Sequence, residues 1–425
     1  MEQTDVVIVG AGGGGAVLGL ALAQRGIRTL VLEQASGPPT GLRGELLQPN
    51  GQKILDQLGL LHQLPAESTR AVSRFHFCRV GGAHLCAVDY GMLPPPYNRA
   101  IVTSPNVAHH VILGALETQA PGTLRYGARF KSLLREGGRV VGLVADCHGK
   151  EMQVSAKLVV GADGPLSRVR EALGIPTRVH LYPEGYLIAM LDCPDGLDAG
   201  RYFVGRGTIL GLFPAAARKV YLFYMIQAGS LDRIKAAGLD VLRSRWTAID
   251  PSLEKTFLTL VSWDQTAYMP AGRVRASTWV ADGAALIGDA AHAMNPHASQ
   301  GRMQAMADAM TLADLIPACL ETGDWSAATL MRYERARRPQ VEMLQQMADE
   351  QVVFWNTGNP LLGYLRDRVF RTLDRNARLR YRVLTATAGL SSEPPFGALD
   401  RLMAAGILPD PHADRLPTEA TNREA

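Results

Sequence analysis

Three short runs of this chain hold residues whose types and spacing can do chemistry. The first, Gly10-Ala11-Gly12-Gly13-Gly14-Gly15, has the GxGxxG spacing through Gly10, Gly12 and Gly15. Gly10 permits a tight turn after a strand. Gly12 lets the backbone approach a pyrophosphate, and Gly15 lets a helix sit close to a sheet. The first amides of that helix would face the negative charge. Glu33 follows about 20 residues on, where an acid that binds an adenosine ribose belongs. This spacing points to a dinucleotide and does not by itself separate FAD from NAD.

The second run is Gly161-Ala162-Asp163-Gly164-Pro165-Leu166-Ser167-Arg168-Val169-Arg170. It follows an apolar stretch and opens a helix. Asp163 and Gly164 therefore stand at a strand's C-terminal end, where ligands collect in open α/β sheets. An ordinary Asp-Gly turn with Ser167 as a cap explains the same residues. The third run is Gly288-Asp289-Ala290-Ala291-His292, continued by Pro296 and Gln300-Gly301. Asp289 could accept hydrogen bonds from sugar-like hydroxyls, as a buried carboxylate must find donors. Gln300-Gly301 would start a helix whose amides can stabilise negative charge. His292 and His297 have no third ligand placed near them, so they read as surface or capping histidines and no metal site is expected.

These runs need a scaffold. DVVIV at 5–9, a helix over 14–25 and RTLVLE at 28–33 make one βαβ unit. Further helices are expected at 50–58 and 106–118, and short strands between 123 and 160. Strands follow at 184–192, 201–213 and 219–227, with a buried-strand pattern at 278–288 and helices after 300. The pattern predicts an α/β protein: a Rossmann-like domain with an inserted strand-rich domain and C-terminal helices. The expected boundaries are 1–75, 100–175 and 270–345 for a discontinuous cofactor domain, 76–99 and 176–269 for a substrate domain, and 346–425 for a helical region whose tail from 408 is loosely ordered.

Composition narrows the class. A net charge of +4 over 425 residues, with no dominant basic stripe, argues against nucleic acid. Cys78, Cys86, Cys147, Cys193 and Cys319 form no CxxC pair and suit a reducing, cytoplasmic setting. Val6 to Ala23 carries no charge, but Glu2 and Asp5 precede it where a signal peptide needs cations.

GxGxxG, GADGxxSxVR and GDAAH…P…QG, in this order, resemble the single-component FAD-dependent monooxygenase superfamily, which includes 4-hydroxybenzoate hydroxylase and the ubiquinone-pathway hydroxylases. The match covers about residues 5–345. Arg43-Gly44-Glu45-Leu46-Leu47-Gln48-Pro49 is similar to the squalene epoxidase branch. The resemblance implies FAD as cofactor and NADPH or NADH as transient co-substrate. It implies hydroxylation or epoxidation of an aromatic, quinol or polycyclic apolar substrate with O2, through a flavin C4a-hydroperoxide. It implies that Glu33 binds the adenosine ribose, that Arg43 lies near the flavin or the nicotinamide, and that Asp163 bridges FAD and the NAD(P)H path. Asp289 would hold the ribityl chain, Pro296 would lie at the oxygen-reacting face near flavin C4a, and Gln300-Gly301 at the pyrimidine edge. Ser104 and Met303 stand where the superfamily often has Arg and Asn. Gly205-Arg206-Gly207 precedes a strand rather than a helix, so it reads as a hairpin and not as a second nucleotide fingerprint. A reductase of isoprenoid lipids resembling geranylgeranyl reductase, and a non-catalytic flavoprotein, share parts of this pattern.

Two further stretches bear on substrate and setting. At 219–227, Tyr221, Phe223 and Met225 alternate with Leu222, Tyr224 and Ile226. Either one face lines an apolar pocket or both faces are core. Tyr224 and His180 are the titratable candidates nearby, without an assigned role. Residues 361–390 carry seven arginines with only Asp367 and Asp374 opposing them. They read as a solvated face packed on the cofactor domain, or as a basic amphipathic contact with the cytoplasmic face of a membrane. The oligomeric state is left open.

Overall fold

The computed structural model describes residues 1–42 and 46–416 of the chain. Its first sheet grows from Glu2–Val9, whose Val6, Val7, Ile8 and Val9 are all buried. A parallel strand covered on both faces needs such an unbroken apolar run. Glu2–Val9 pairs in parallel with Thr29–Glu33 on one side and with Lys150–Gly161 on the other. Lys150–Gly161 in turn pairs in parallel with Ala284–Leu286. The sheet has eight strands among the described residues, two of which, Ala128–Glu136 and Arg139–Cys147, form an antiparallel extension on Lys150–Gly161. The chain is an α/β protein.

Helix Gly13–Gln24 lies on this sheet and against helix Gly301–Thr322. Close approach is bought by glycine: a Cβ at Gly14 would lie 3.0 Å from the Ala305 carbonyl oxygen. Helix Ala327–Trp355 then packs on Gly301–Thr322.

A second, seven-stranded sheet runs in the order Thr266–Ala276, Thr177–Asp192, Lys219–Gln227, Thr208–Pro214, Gly200–Gly205, Arg74–Arg79, His84–Asp89. It reaches slightly past the boundaries expected at 75 and 270, since its strand Arg74–Arg79 starts at 74 and its edge strand Thr266–Ala276 ends at 276. Gly205-Arg206-Gly207 is the turn of an antiparallel hairpin. The expected strand at 278–288 is two short strands, Val280–Ala281 and Ala284–Leu286, with Gly283 at φ +75° between them.

The two faces of Lys219–Gln227 differ. Leu222, Ile226 and half-buried Tyr224 pack with Trp246 and Phe257 under the helices Leu239–Ile249 and Glu254–Phe257. Tyr221 and Phe223 face the opposite way and line a cavity between the sheets.

Beyond the second sheet lie helices Pro360–Arg375, Ala377–Thr387 and Ala398–Ala404. The stretch after 408 is held where its acid meets the helices. Asp410 accepts hydrogen bonds from Arg378 at 2.8 Å and Asn376 at 2.9 Å. Of the tail expected to be loose from 408, residues 417–425 lie outside the described part. Among the described residues no helix is long and apolar enough to cross a membrane.

Candidate functional site

All three motifs sit at the C-terminal ends of adjacent parallel strands. In register, Val9 lies beside Leu32 on one side and Gly161 on the other, and Gly161 lies beside Leu286. Both parallel neighbours of Glu2–Val9 come later in the chain, Thr29–Glu33 on one side and Lys150–Gly161 on the other, so the strand order reverses at this strand. This is the switch point at which open α/β sheets hold ligands. A cavity of about 1140 Å³ opens there, bounded by Gly12, Glu33, Gly164, Asp289, Pro296 and Gly301 among others.

The glycines divide by function. Gly10 has φ +101°, and a Cβ on it would sit 2.4 Å from the Ala162 carbonyl oxygen. A Cβ on Gly15 would sit 1.9 Å from the Gly10 carbonyl oxygen. These two are required by packing of the protein itself and do not line the cavity. Gly12 is different: its Cβ would meet nothing within 4 Å. Space is kept at Gly12 for a group that the protein does not supply. That is the fit expected of a pyrophosphate approaching the backbone. Glu33 accepts a hydrogen bond from the Ala11 amide at 2.9 Å and another from Ala35 at 2.9 Å, so its carboxylate is anchored at the cavity edge.

Asp289 projects into the cavity with its side chain open to that space, and desolvation by the surrounding protein pushes its carboxyl above the ordinary value. The turn beneath it is held from behind by Asp308. That fully buried carboxylate accepts from the Gly288 amide at 2.9 Å, from Arg337 Nε at 2.9 Å and from His292 Nε2 at 2.5 Å. Burial would raise the Asp308 carboxyl, but His292 and then Arg337 hold it below its ordinary value. His292 is buried against the Trp279 ring, 4.6 Å between centroids, and is no surface residue.

Several expected contacts fall elsewhere. Asp163 does not line the cavity. It accepts from Ser167 Oγ at 2.5 Å and from the amides of Arg168 and Val169, which caps the short helix behind it. Its neighbours Gly164 and Pro165 line the cavity instead. Gln300 is also turned inward: its side chain bonds Asn50, Gln304 and the Thr387 carbonyl, while Gly301 faces the cavity. Arg43 lies outside the described residues. Met303 lines the cavity and fills the space beside Gly51. Tyr224 borders a separate, smaller cavity, and His180 is exposed with its ring against Tyr182.

The far end of the main cavity is apolar and aromatic: Ile188, Tyr202, Phe213, Tyr221, Phe223 and Met269. His297 stands in its wall, buried rather than on the surface. Its Nε2 lies 2.8 Å from the Tyr186 hydroxyl, and Tyr186 stacks on Phe223 with centroids 4.4 Å apart. Burial depresses the His297 imidazole to about 3, so it is neutral at any ordinary pH. The Pro296-His297 pair marked a turn in the sequence, but nothing local revealed its Tyr186 partner 111 positions earlier.

Comparison with known proteins agrees with this geometry. A family model described as an FAD binding domain matches residues 3–348. The chain is 30% identical over 347 residues to the 6-methylpretetramide 4-monooxygenase of Streptomyces rimosus, covering 80% of this chain and 81% of that one. It is 26% identical to the 3-demethoxyubiquinol 3-hydroxylase of Escherichia coli strain K12, over 92% of this chain and 99% of the relative. Among solved structures, p-nitrophenol 4-monooxygenase from Pseudomonas putida DLL-E4 superposes with a TM-score of 0.80 at 20% identity, over 92% of this chain and 99% of that one. At that identity the superposition speaks for the fold.

Proposed function

The chain belongs to the FAD-binding-domain family and is an FAD-dependent monooxygenase that uses NAD(P)H and O2, and from that premise we propose that it hydroxylates an electron-rich, apolar polycyclic aromatic or quinol substrate. The observation that carries this reading is the shape of one cavity. It runs from the glycine turn to a pocket walled by Ile188, Tyr202, Phe213, Tyr221 and Phe223. Small-molecule sites have this make-up: mostly apolar walls with a few polar groups that fix orientation.

The positions of the cavity residues support the following roles. Gly12 and the first amides of Gly13–Gln24 take the pyrophosphate, and Glu33 takes the adenosine ribose. Asp289 would hold the ribityl hydroxyls, Pro296 and Gly301 would border the flavin, and Asp163 and Gln300 would act from behind by fixing the turns. For Arg43, outside the described residues, the role near the flavin or the nicotinamide is the one the resemblance implies. Bound FAD supplies electron transfer from NAD(P)H and the activation of O2. The protein orients the substrate on the aromatic walls and keeps water from the reacting face. Aromatic faces suit such a substrate through offset or edge-on ring contacts. The relatives named for 6-methylpretetramide and for demethoxyubiquinol support a polycyclic or quinol ring.

The test is a screen of polycyclic phenols, quinols and related aromatics for stimulated NAD(P)H oxidation, followed by mass spectrometry. The expected product has gained one oxygen atom, labelled when the gas is ¹⁸O2. Product formed equally well without O2 would overturn the reading.

A further inference from the structure

We propose that the outer face of helix Pro360–Arg375, with the adjoining end of helix Ala398–Ala404, is a docking surface for an anionic lipid bilayer. Composition alone gives seven arginines in this region. The fold sorts them. Arg366 is buried, bonding Asp367 at 2.8 Å and the Trp355 carbonyl at 2.9 Å. Arg378 and Arg382 share Asp400, and Arg378 also takes Asp410. Arg380 bonds the carbonyls of Leu373 and Asp374 at the end of the preceding helix. These four serve the fold.

The other three, Arg368, Arg371 and Arg375, are exposed. With Leu361 and Tyr364 they recur at spacings of three and four, which places all five on one helix face. The amino-terminal half of that face is apolar: Leu361 is 79% exposed and Tyr364 63%. The carboxy-terminal half is cationic, and Arg371 and Arg375 meet no acid among the described residues. Arg368 reaches the Gly406 carbonyl at 2.6 Å, which sets Ile407, 63% exposed, beside the stripe. Leu399 and Leu402 are exposed on the neighbouring helix. The acids nearby are engaged: Asp367 with Arg366 and Arg79, Asp374 with the Ala87 amide, and Asp400 with Arg378 and Arg382.

Leucine, isoleucine and tyrosine held out in water alongside unpaired guanidinium groups fit an interface that is anionic at its surface and apolar just beneath. A soluble acidic partner explains the arginines but leaves Leu361 and Ile407 without a reason. The charge complementarity therefore commits the surface to lipid. This inference stands apart from the choice of substrate, although a bilayer would also concentrate an apolar one.

The experiment uses the full chain loaded with FAD, without substrate or NAD(P)H, and vesicles of phosphatidylcholine with and without phosphatidylglycerol. The expected result is co-sedimentation that requires phosphatidylglycerol and weakens with salt. Each arginine near an anionic surface is worth about five-fold in binding, so Arg371→Gln with Arg375→Gln lowers it about 25-fold. Leu361→Ser with Tyr364→Ser lowers it at unchanged charge. Retained flavin and an unchanged Tm show that these surface variants fold. Absence of phosphatidylglycerol-dependent binding, or equal binding by the glutamine variant, overturns the proposal. So does a dimer of this chain that dissociates in the same variants while vesicles go unbound.

Discussion

Asp308 is the position where one substitution tests most of the argument. Its carboxylate is fully buried and holds Arg337, His292 and the Gly288 amide at once. Asp308→Asn keeps the shape and removes the charge, leaving Arg337 buried without its counter-ion. Removing one partner of such a buried pair costs about 3–5 kcal/mol. At roughly 2 °C per kcal/mol in a large domain, Tm falls on the order of 6–10 °C. Loosening of the Gly288-Asp289 turn should also appear at the cofactor. Loss of a hydrogen bond to a charged acceptor, about 1.5 kcal/mol at the low end, corresponds to a roughly ten-fold weaker Kd for FAD. Thermal unfolding followed by tryptophan emission reads the first effect, and titration of free FAD by flavin fluorescence reads the second. The control is Asp314→Asn, whose pair with Arg25 is largely exposed and should change stability by less than about 1 kcal/mol. The Asp308 carboxyl is held below its ordinary value of 3.8, so its contribution is complete above that pH and is lost as pH falls through the lower folded value. A Tm for Asp308→Asn as little changed as the control, with FAD bound as before, would refute the reasoning.

Three other outcomes follow. Gly12→Ala should leave the Tm of the FAD-free protein unchanged while abolishing or sharply weakening FAD binding, because a Cβ there meets only the cavity. Gly15→Ala, with its Cβ 1.9 Å from the Gly10 carbonyl oxygen, should instead lower the Tm of the FAD-free protein itself. The His297 imidazole, ordinarily near 6.5, is depressed by burial to about 3, so its folded form refuses a proton that the unfolded chain accepts. Stability is then complete above about pH 6.5 and declines as pH falls toward 3, by about 1.4 kcal/mol per unit. His297→Gln should flatten the acid limb of a stability–pH curve measured by urea unfolding, and an unchanged limb would count against a neutral buried imidazole.

Much of this protein was legible in its sequence because the informative signals are local. A strand, a glycine turn and a helix need only neighbouring residues, so 5–33 announced a nucleotide-binding unit without any knowledge of the rest. Alternation at 219–227 likewise defined two faces, and its Tyr221–Phe223 face does line the cavity. Only the tertiary structure decided what meets what. Asp163 and Gln300 stand in the expected motifs, yet Asp163 turns to the Arg168 and Val169 amides of the helix cap and Gln300 turns to Asn50, 250 positions away in the chain. The partnership of Asp308 with Arg337 and His292, and of His297 with Tyr186, joins residues far apart in the chain, and periodicity carries no information on such pairings. The arginines of 361–390 show the same limit: their count was plain in the sequence, but which are satisfied depends on Asp400 and Asp410, brought back by the last helix. Sequence determines which face a side chain occupies, and the packing of distant segments determines which partner it finds there.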